Sequence, residues 1–173
     1  MKKISILLVS LLFVLPMMAE KSLIGRWQSE PISEGTEKAV EELTFIDSTH
    51  LELAFITDNN DPMTGRMVTR MSVKATYQAW GSIFFVKLDL PTVKTKIEKL
   101  ELTDAFKASM PAGYSMEDTK NLLQQQAHQQ AKLMFSMTEE FSMIYITHEE
   151  NDIISFIIGD ENDAMDLVFH RMK

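Results

Sequence analysis

The feature that most constrains this chain is an alternation of apolar and polar residues with a period of two. It is longest over residues 65–80, where one parity is apolar or small: Met67, Thr69, Met71, Val73, Ala75 and Tyr77. The other parity carries charged or amide side chains: Arg66, Arg70, Lys74 and Gln78. Because successive side chains of a β-strand point to opposite faces, this pattern predicts a strand with one buried and one solvated face.

Shorter runs of the same kind recur along the chain between turn clusters such as Gly81-Ser82. We expect nine strands, at residues 23–29, 41–46, 50–57, 65–80, 83–90, 92–103, 141–148, 153–158 and 165–172. A polar loop at residues 58–62 and a break at Pro91 separate neighbouring strands. Many strands with tight links favour a closed barrel or a sandwich, and closure also removes exposed edges. The sequence predicts a mostly β fold, an antiparallel up-and-down β-barrel of about eight or nine strands.

One segment departs from this rhythm and predicts a single α-helix, inserted over residues 116–137. It contains neither Gly nor Pro, and Ser115 before it is a typical N-cap with acidic residues following in the first turn. Four residues recur at helical spacing: Leu123, Ala127, Ala131 and Met134. We expect this stripe to lie against the barrel or over one end of it. The helix is then either a lid or a passive packing element.

The N-terminal residues have the three parts of a signal peptide. Lys2 and Lys3 are a positive region, residues 4–15 are mainly apolar, and Ala19 precedes a polar stretch. The apolar run is shorter than the roughly 20 residues that cross a bilayer. We therefore expect cleavage after residue 19 and a single domain at residues 20–173 with no membrane span. The protein is expected in the periplasm or secreted, and without Cys it has no cysteine-linked lipid anchor.

The charge of the expected mature chain restricts its partners. Fifteen Lys and Arg side chains remain once Lys2 and Lys3 are removed, against 25 Asp and Glu, which gives a net charge of −10. An acidic surface repels nucleic acid and anionic lipid, so we expect neither as a partner.

A short motif on the first strand points to a family. Gly25 and Trp27 form Gly-x-Trp, and Arg171 lies on the last strand with the parity of Leu167 and Phe169. This combination resembles the signature of the lipocalin (calycin) family. The resemblance implies that Gly25 and Trp27 close the bottom of the barrel and that Arg171 packs across the indole in a cation–π contact. Lipocalins usually carry their helix after the eighth strand, whereas here it precedes the seventh, so the resemblance is to a divergent exported bacterial type.

No motif predicts a catalytic, metal or cofactor site, so we expect a protein that is not an enzyme and needs no cofactor. The histidines have no ligand-spaced neighbours: His50, His128, His148 and His170. There is no phosphate-binding loop and no nucleophile elbow. Met63, Met67 and Met71 have the soft sulfur that copper prefers, but the last two share the apolar parity, which favours a core or pocket lining.

The leading hypothesis is a protein that binds a small hydrophobic ligand inside the barrel. A barrel of about eight strands is just wide enough to enclose one such ligand or to fill with its own side chains. The candidate wall residues share the interior parity: Leu53, Phe55, Met71, Tyr77, Phe84 and Val86. Tyr77 would supply a polar group to the ligand. A filled core would use the same six residues.

The alternative hypothesis is a packed-barrel interaction module that binds or inhibits another protein of the cell envelope. Exposed aromatic residues at one rim would distinguish it, and the candidates are Trp80, next to the predicted turn at Gly81-Ser82, and Tyr114, in a predicted loop. An enzyme is the third and least favoured hypothesis.

Overall fold

The computed structural model describes residues 23–110, 113, 115–147, 152–158 and 165–173. The strands are β1 (Gly25–Ser29), β2 (Ile32–Glu34), β3 (Glu37–Phe45), β4 (His50–Asp61), β5 (Gly65–Trp80), β6 (Ile83–Leu102), β7 (Glu140–Thr147), β8 (Ile153–Ile158) and β9 (Met165–Arg171). Two helices lie between β6 and β7: α1 (Asp104–Ser109) and α2 (Met116–Ser136). The predicted signal peptide at residues 1–19 and the predicted start of the domain at residue 20 lie outside the described residues.

The nine strands form one antiparallel sheet that closes into a ring. From β3 to β9, each strand pairs with the next one along the chain. Closure comes from β1, which pairs with β9 on one side and with β3 on the other: Trp27 lies opposite Arg171 and opposite Leu43. β2 pairs with the beginning of β3 only. The predicted fold class is confirmed: a mostly β chain, folded as an antiparallel up-and-down barrel with an inserted helix.

Pro91 does not end a strand, so the prediction of separate strands at residues 83–90 and 92–103 is wrong. β6 runs through the proline, and beside it the register of β5 on β6 shifts between Ser72 and Lys74. The Lys74 N–H donates to Oγ1 of Thr92 at 2.9 Å, and that hydroxyl donates to the Asp89 carbonyl at 2.6 Å. Proline is tolerated at such a bulge because the local ladder does not use its missing N–H.

The predicted loop at residues 58–62 is also mostly strand, because β4 continues through Asp61. One carboxylate tightens the turn into β5: Asp61 Oδ1 accepts hydrogen bonds from the backbone N–H groups of Met63 at 2.9 Å and Thr64 at 2.7 Å. Gly65 then opens β5 with a φ of +112°. A side chain that satisfies backbone donors within the turn replaces the longer loop that the polar composition indicated.

The predicted helix at residues 116–137 is confirmed as α2. Ser115 and Asp118 form a capping box, in which Ser115 Oγ accepts from the Asp118 N–H at 3.1 Å and the Asp118 carboxylate accepts from the Ser115 N–H at 3.0 Å. The helix packs on β6 and β5. Its buried side chains are Thr119, Ala131 and Phe135. Phe135, one position beyond the predicted Met134, is the residue that the helix buries at its end. The short helix α1 was not predicted.

Aromatic side chains fill one end of the barrel interior, which we call the packed end. Its rings belong to Phe45, Tyr77, Phe84, Tyr145 and Phe156. Centroids are 5.4 Å apart between Phe45 and Tyr77, and 5.5 Å apart between Tyr77 and Phe84. Phe84 and Phe156 follow at 5.8 Å. Such pairs contribute about 0.5–1.5 kcal/mol each beyond the burial of their area.

Candidate functional site

An apolar cavity of about 390 Å³ lies inside the barrel beyond the packed end. Its apolar lining comes from six strands and the end of α2: Leu43, Leu53, Phe55, Leu88, Met134, Phe135, Phe141, Met143, Phe156, Ile158, Leu167 and Phe169. The strand residues are inward-facing members of alternating pairs, which is why so many strands contribute to one space. Glu41 and Thr138 are the polar residues in the lining.

The end of α2 forms part of the cavity wall. The Phe135 ring lies 5.9 Å from the Phe55 ring, centroid to centroid, and Phe135 is buried in the same core. Met134 beside it lines the cavity but remains partly exposed. The helix is therefore more than a support on the outside of the sheet, because its last turn contributes side chains to the interior.

The six predicted wall residues divide between the two ends of the barrel. Leu53 and Phe55 line the cavity. Tyr77, Phe84 and Val86 are each 2% exposed in the core and are not part of the cavity lining. Met71, opposite Phe55 on the next strand, packs against the same core and does not line the cavity either.

The hydroxyl predicted to serve a ligand is already engaged in the fold. Tyr77 Oη donates to the backbone carbonyl of Asp47 at 2.8 Å. This bond ties β5 to the turn between β3 and β4. The polar group therefore stabilises the packed end.

Most of the lining was missed from sequence, notably Phe135, Phe141, Phe156 and Phe169. The parity of the last three strands places Phe141, Phe156 and Phe169 inward with their apolar neighbours. That signal was available, but it does not separate residues around an open space from residues that fill the core. Phe135 lies four positions after Ala131, so helical spacing places both residues on the same face of the helix. The sequence therefore contained a signal for Phe135 as well.

Glu41 brings a carboxyl group to the cavity. It has the inward parity of Leu43 and Phe45 on β3 and lies opposite Phe55 of β4. Its side chain is half-buried, and burial raises the pKa of Glu41 above the ordinary value of 4.5. Its backbone N–H donates to Ser29 Oγ at 2.9 Å. Within the described part of the chain, its carboxylate makes no hydrogen bond or ion pair.

The Gly25, Trp27 and Arg171 group is assembled where β1 meets β9. The Arg171 guanidinium carbon lies 4.2 Å from the Trp27 ring centroid, so the predicted cation–π contact is present. The indole Nε1 donates to the Leu23 carbonyl at 2.7 Å, and Arg171 Nη1 donates to the Ile24 carbonyl at 3.1 Å. A Cβ on Gly25, whose φ is +130°, would lie 3.3 Å from Arg171 Nη1. Glycine leaves room there for the guanidinium.

Apolar side chains are also exposed outside the barrel, on neighbouring parts of β5, β6 and β7. We call them the outer apolar patch: Trp80, Ile83, Phe85, Ile144 and Ile146. Strand pairing places Ile83 directly opposite both Trp80 and Ile144. Trp80 is 80% exposed. This is the aromatic exposure at a rim that the alternative hypothesis requires, whereas Tyr114 lies outside the described residues.

Within the ranges that the structure describes, no three His, Asp or Glu side chains come together in a way that could hold a metal ion. No helix there combines the length and the apolar character needed to span a bilayer.

A scan of protein-family models finds no match to this chain, and a search of curated proteins finds no similar sequence.

Proposed function

We propose that this chain is an exported, lipocalin-like protein that holds a small apolar ligand in its barrel. The observation that carries the proposal is the cavity. Small-molecule sites typically measure roughly 300–1,000 Å³ and are lined mainly by apolar and aromatic side chains. The space beyond the packed end has a volume of about 390 Å³ and a lining of that kind.

The likeness to lipocalins rests on architecture together with one local contact. An up-and-down barrel closed by its first and last strands is the architecture of that family, and the stacked pair of Trp27 and Arg171 occupies the closing strands. The N-terminal sequence supports export to the periplasm or beyond. A free ligand in that compartment would be sequestered from water by the barrel.

Binding without catalysis is the second part of the proposal. Hydrolytic and acid–base mechanisms need several convergent polar groups, such as a nucleophile with its base. Among the described residues that line the cavity, Glu41 is the one titratable side chain. A single carboxyl in an apolar wall suits recognition better than bond breaking.

Native mass spectrometry tests the proposal on protein purified from its own envelope fraction. We expect a co-purifying apolar molecule at one per chain, or uptake of one from a panel of fatty acids, alcohols, amines and haem. Leu53→Trp fills the cavity and is expected to abolish the adduct. Glu52→Trp is the matched control, because the neighbouring side chain lies on the opposite face of β4.

Thermal melts of both variants separate loss of binding from loss of folding. A folded Leu53→Trp protein that still carries the adduct would contradict binding in the cavity. A wild-type protein without an adduct, and with no uptake from the panel, would contradict the proposed function.

The outer apolar patch favours the second candidate, an interaction module that binds another envelope protein. Exposed apolar residues gathered on one face are typical of protein–protein contact sites. A photo-crosslinking residue at position 80 should then capture one defined envelope protein, and Phe85→Ser should abolish capture. Diffuse labelling that Phe85→Ser leaves unchanged would rule against this candidate.

A further inference from the structure

Glu41 is the one titratable residue in the described lining of the cavity, and the ligand preference argued from it rests on the proposed function. Along β3 the inward residues run from Glu41 through Leu43 to Phe45. Phe45 belongs to the packed end, so Glu41 lies at the far end of the cavity from it. Phe55 is the cross-strand neighbour of Glu41, the Phe135 ring packs on Phe55, and both aromatic residues line the same cavity as Glu41.

Among the described residues, the half-buried carboxylate of Glu41 has no partner, although it belongs to a lining that is otherwise mainly apolar and aromatic. Burial disfavours a charge unless an opposite charge or hydrogen-bond donors compensate. Among the described residues that share the cavity lining, none carries a positive charge, and Thr138 is the one other polar side chain. A ligand that enters the cavity can therefore supply what the fold does not.

We infer that the cavity selects an apolar molecule with a single amine head group, whose ammonium pairs with Glu41 while the tail runs past Leu43 toward the packed end. An ammonium has three donors and a full positive charge, and a charge-assisted hydrogen bond is stronger than a neutral one. A carboxylate head at the same place would meet a like charge. Fatty acids are thereby disfavoured, although their tails fit the same walls.

The test uses three probes that share a ten-carbon chain and differ in the head group: decylamine, 1-decanol and decanoate. Their affinities for the whole purified protein are measured near neutral pH by calorimetry. We expect decylamine to bind at least about tenfold more tightly than decanoate, with decanol between them. The attraction between the ammonium and the Glu41 carboxylate is stronger in the partly desolvated cavity than between two charges exposed at the surface. The wild-type comparison alone needs no variant to fold.

Variants then assign the preference to one carboxyl. Glu41→Gln should weaken decylamine and strengthen decanoate until the two differ by about threefold or less, because the charge term is gone. Glu41→Lys should reverse the order. Glu52→Gln, the same change on the outer face of the adjacent strand, should leave the wild-type order intact.

The possible failures are distinguishable. Equal binding of all three probes by the wild-type protein, or an amine preference that survives Glu41→Gln, overturns the inference and leaves the cavity as a ligand site. Failure of all three probes to bind overturns the proposed function, and the inference with it.

Discussion

At the scale of single residues, one contact joins the first strand of the barrel to the last. Arg171 stacks on Trp27 at 4.2 Å and donates to the carbonyl of Ile24. β1 and β9 are far apart in the sequence, so only non-covalent contacts hold them together. The stacked pair therefore helps to keep the ring of strands closed.

Arg171→Ala is expected to lower the free energy of unfolding by about 2–4 kcal/mol, the sum of about 0.5–1 kcal/mol for the cation–π contact and about 1.5–3 kcal/mol for a hydrogen bond to a charged group. Arg171→Lys should lose less, since the charge remains while the planar stack is lost. Urea denaturation measures both. Lys87→Ala, which removes an exposed pair with Glu140, is the control and should change stability little. An Arg171→Ala protein as stable as wild type would show that the contact does not hold the closure.

Glu41 and Glu42 are adjacent residues on opposite faces of β3. Glu42 is buried on the outer face, where Arg70 lies 2.8 Å and Arg26 3.2 Å from its carboxylate. Its cross-strand neighbour Ala54 is small, which leaves space for the side chains to meet across the sheet. Burial acts to raise the pKa of Glu42, but the hydrogen bonds and charges of Arg70 and Arg26 outweigh it and hold the pKa below 4.5.

Because the folded pKa of Glu42 is lowered, its contribution to stability is present above the ordinary pKa near 4.5 and is lost as the pH falls through the folded value. Glu42→Gln should cost about 1.5–3 kcal/mol at neutral pH, the value of a hydrogen bond to a charged group. The difference from wild type should shrink on acidification. Urea midpoints across the acidic range measure it, and a deficit that is constant with pH would contradict the ion-pair explanation.

Glu41 has the opposite linkage, because burial raises its pKa in the folded state. The contribution of Glu41 to the free energy of unfolding is fully present below its ordinary pKa. It is lost as the pH rises through the raised pKa of the folded state. Glu41→Gln in the ligand-free protein should therefore be more stable than wild type at neutral pH and equal to it in acid. The same urea series checks this. A destabilised Glu41→Gln protein at neutral pH would mean that the carboxylate has a favourable partner.

At the scale of elements, the backbones of β5 and β6 lie so close together at the start of β5 that residue 65 cannot carry a side chain without steric overlap. Gly65 has a φ of +112°, and a Cβ added there would lie 2.0 Å from the Glu101 carbonyl oxygen and 2.9 Å from the Leu102 Cα. These are backbone atoms of β6, so they cannot rotate away. The close pairing of β5 with β6 at this end requires glycine.

Gly65→Ala should lower the free energy of unfolding by about 2–5 kcal/mol, from the strained φ and the steric overlap together. Gly81→Ala is the matched control: its φ is +63°, but a Cβ there meets nothing within 4 Å. That control should lose only about 1–2 kcal/mol, the cost of the left-handed backbone. Equal losses measured by thermal unfolding would show that the contact with β6 relaxes.

Element boundaries were the weakest part of the sequence prediction, for a physical reason. Pro91 and the polar residues 58–62 both signal a break in local propensity. The fold accepts them because Thr92 satisfies the Lys74 N–H beside the proline and Asp61 satisfies the turn before Gly65. Pairing between strands brings Thr92 to Lys74 and extends β4 through residues 58–61, and a local pattern does not contain that information. The cap of α2 was predictable because Ser115 and Asp118 are three residues apart.

At the scale of the whole molecule, the barrel combines a filled end with an open one. Aromatic rings in contact stabilise the packed end, whereas the cavity leaves lining side chains without neighbours on one side. Such a space lowers stability unless something fills it. A ligand that binds only the folded state should therefore also stabilise the fold.

Decylamine at about one hundred times its dissociation constant should add about 2.7 kcal/mol to the free energy of unfolding. For a chain of this size that corresponds to a rise of about 5–10 °C in Tm. Differential scanning calorimetry measures the rise. Leu53→Trp should show none, while Glu52→Trp should behave as wild type. A Tm that is independent of the probe in the wild-type protein would argue against a site on the folded state.

The sequence by itself determined the fold class and the helix, because both depend on periodicity or on fixed spacing. The pairing of Trp27 with Arg171 was an implication of the resemblance to lipocalins, and the closure of the barrel brings the two residues together. Strand parity also placed Leu53, Phe55, Tyr77 and Phe84 inside. Only the tertiary structure decided which inward side chains pack together and which surround a space, since that depends on ring size and summed side-chain volume across several strands. The same limit hid Glu41: its parity pointed inward, but only the assembled barrel places it in the wall of a cavity that aromatic residues also line.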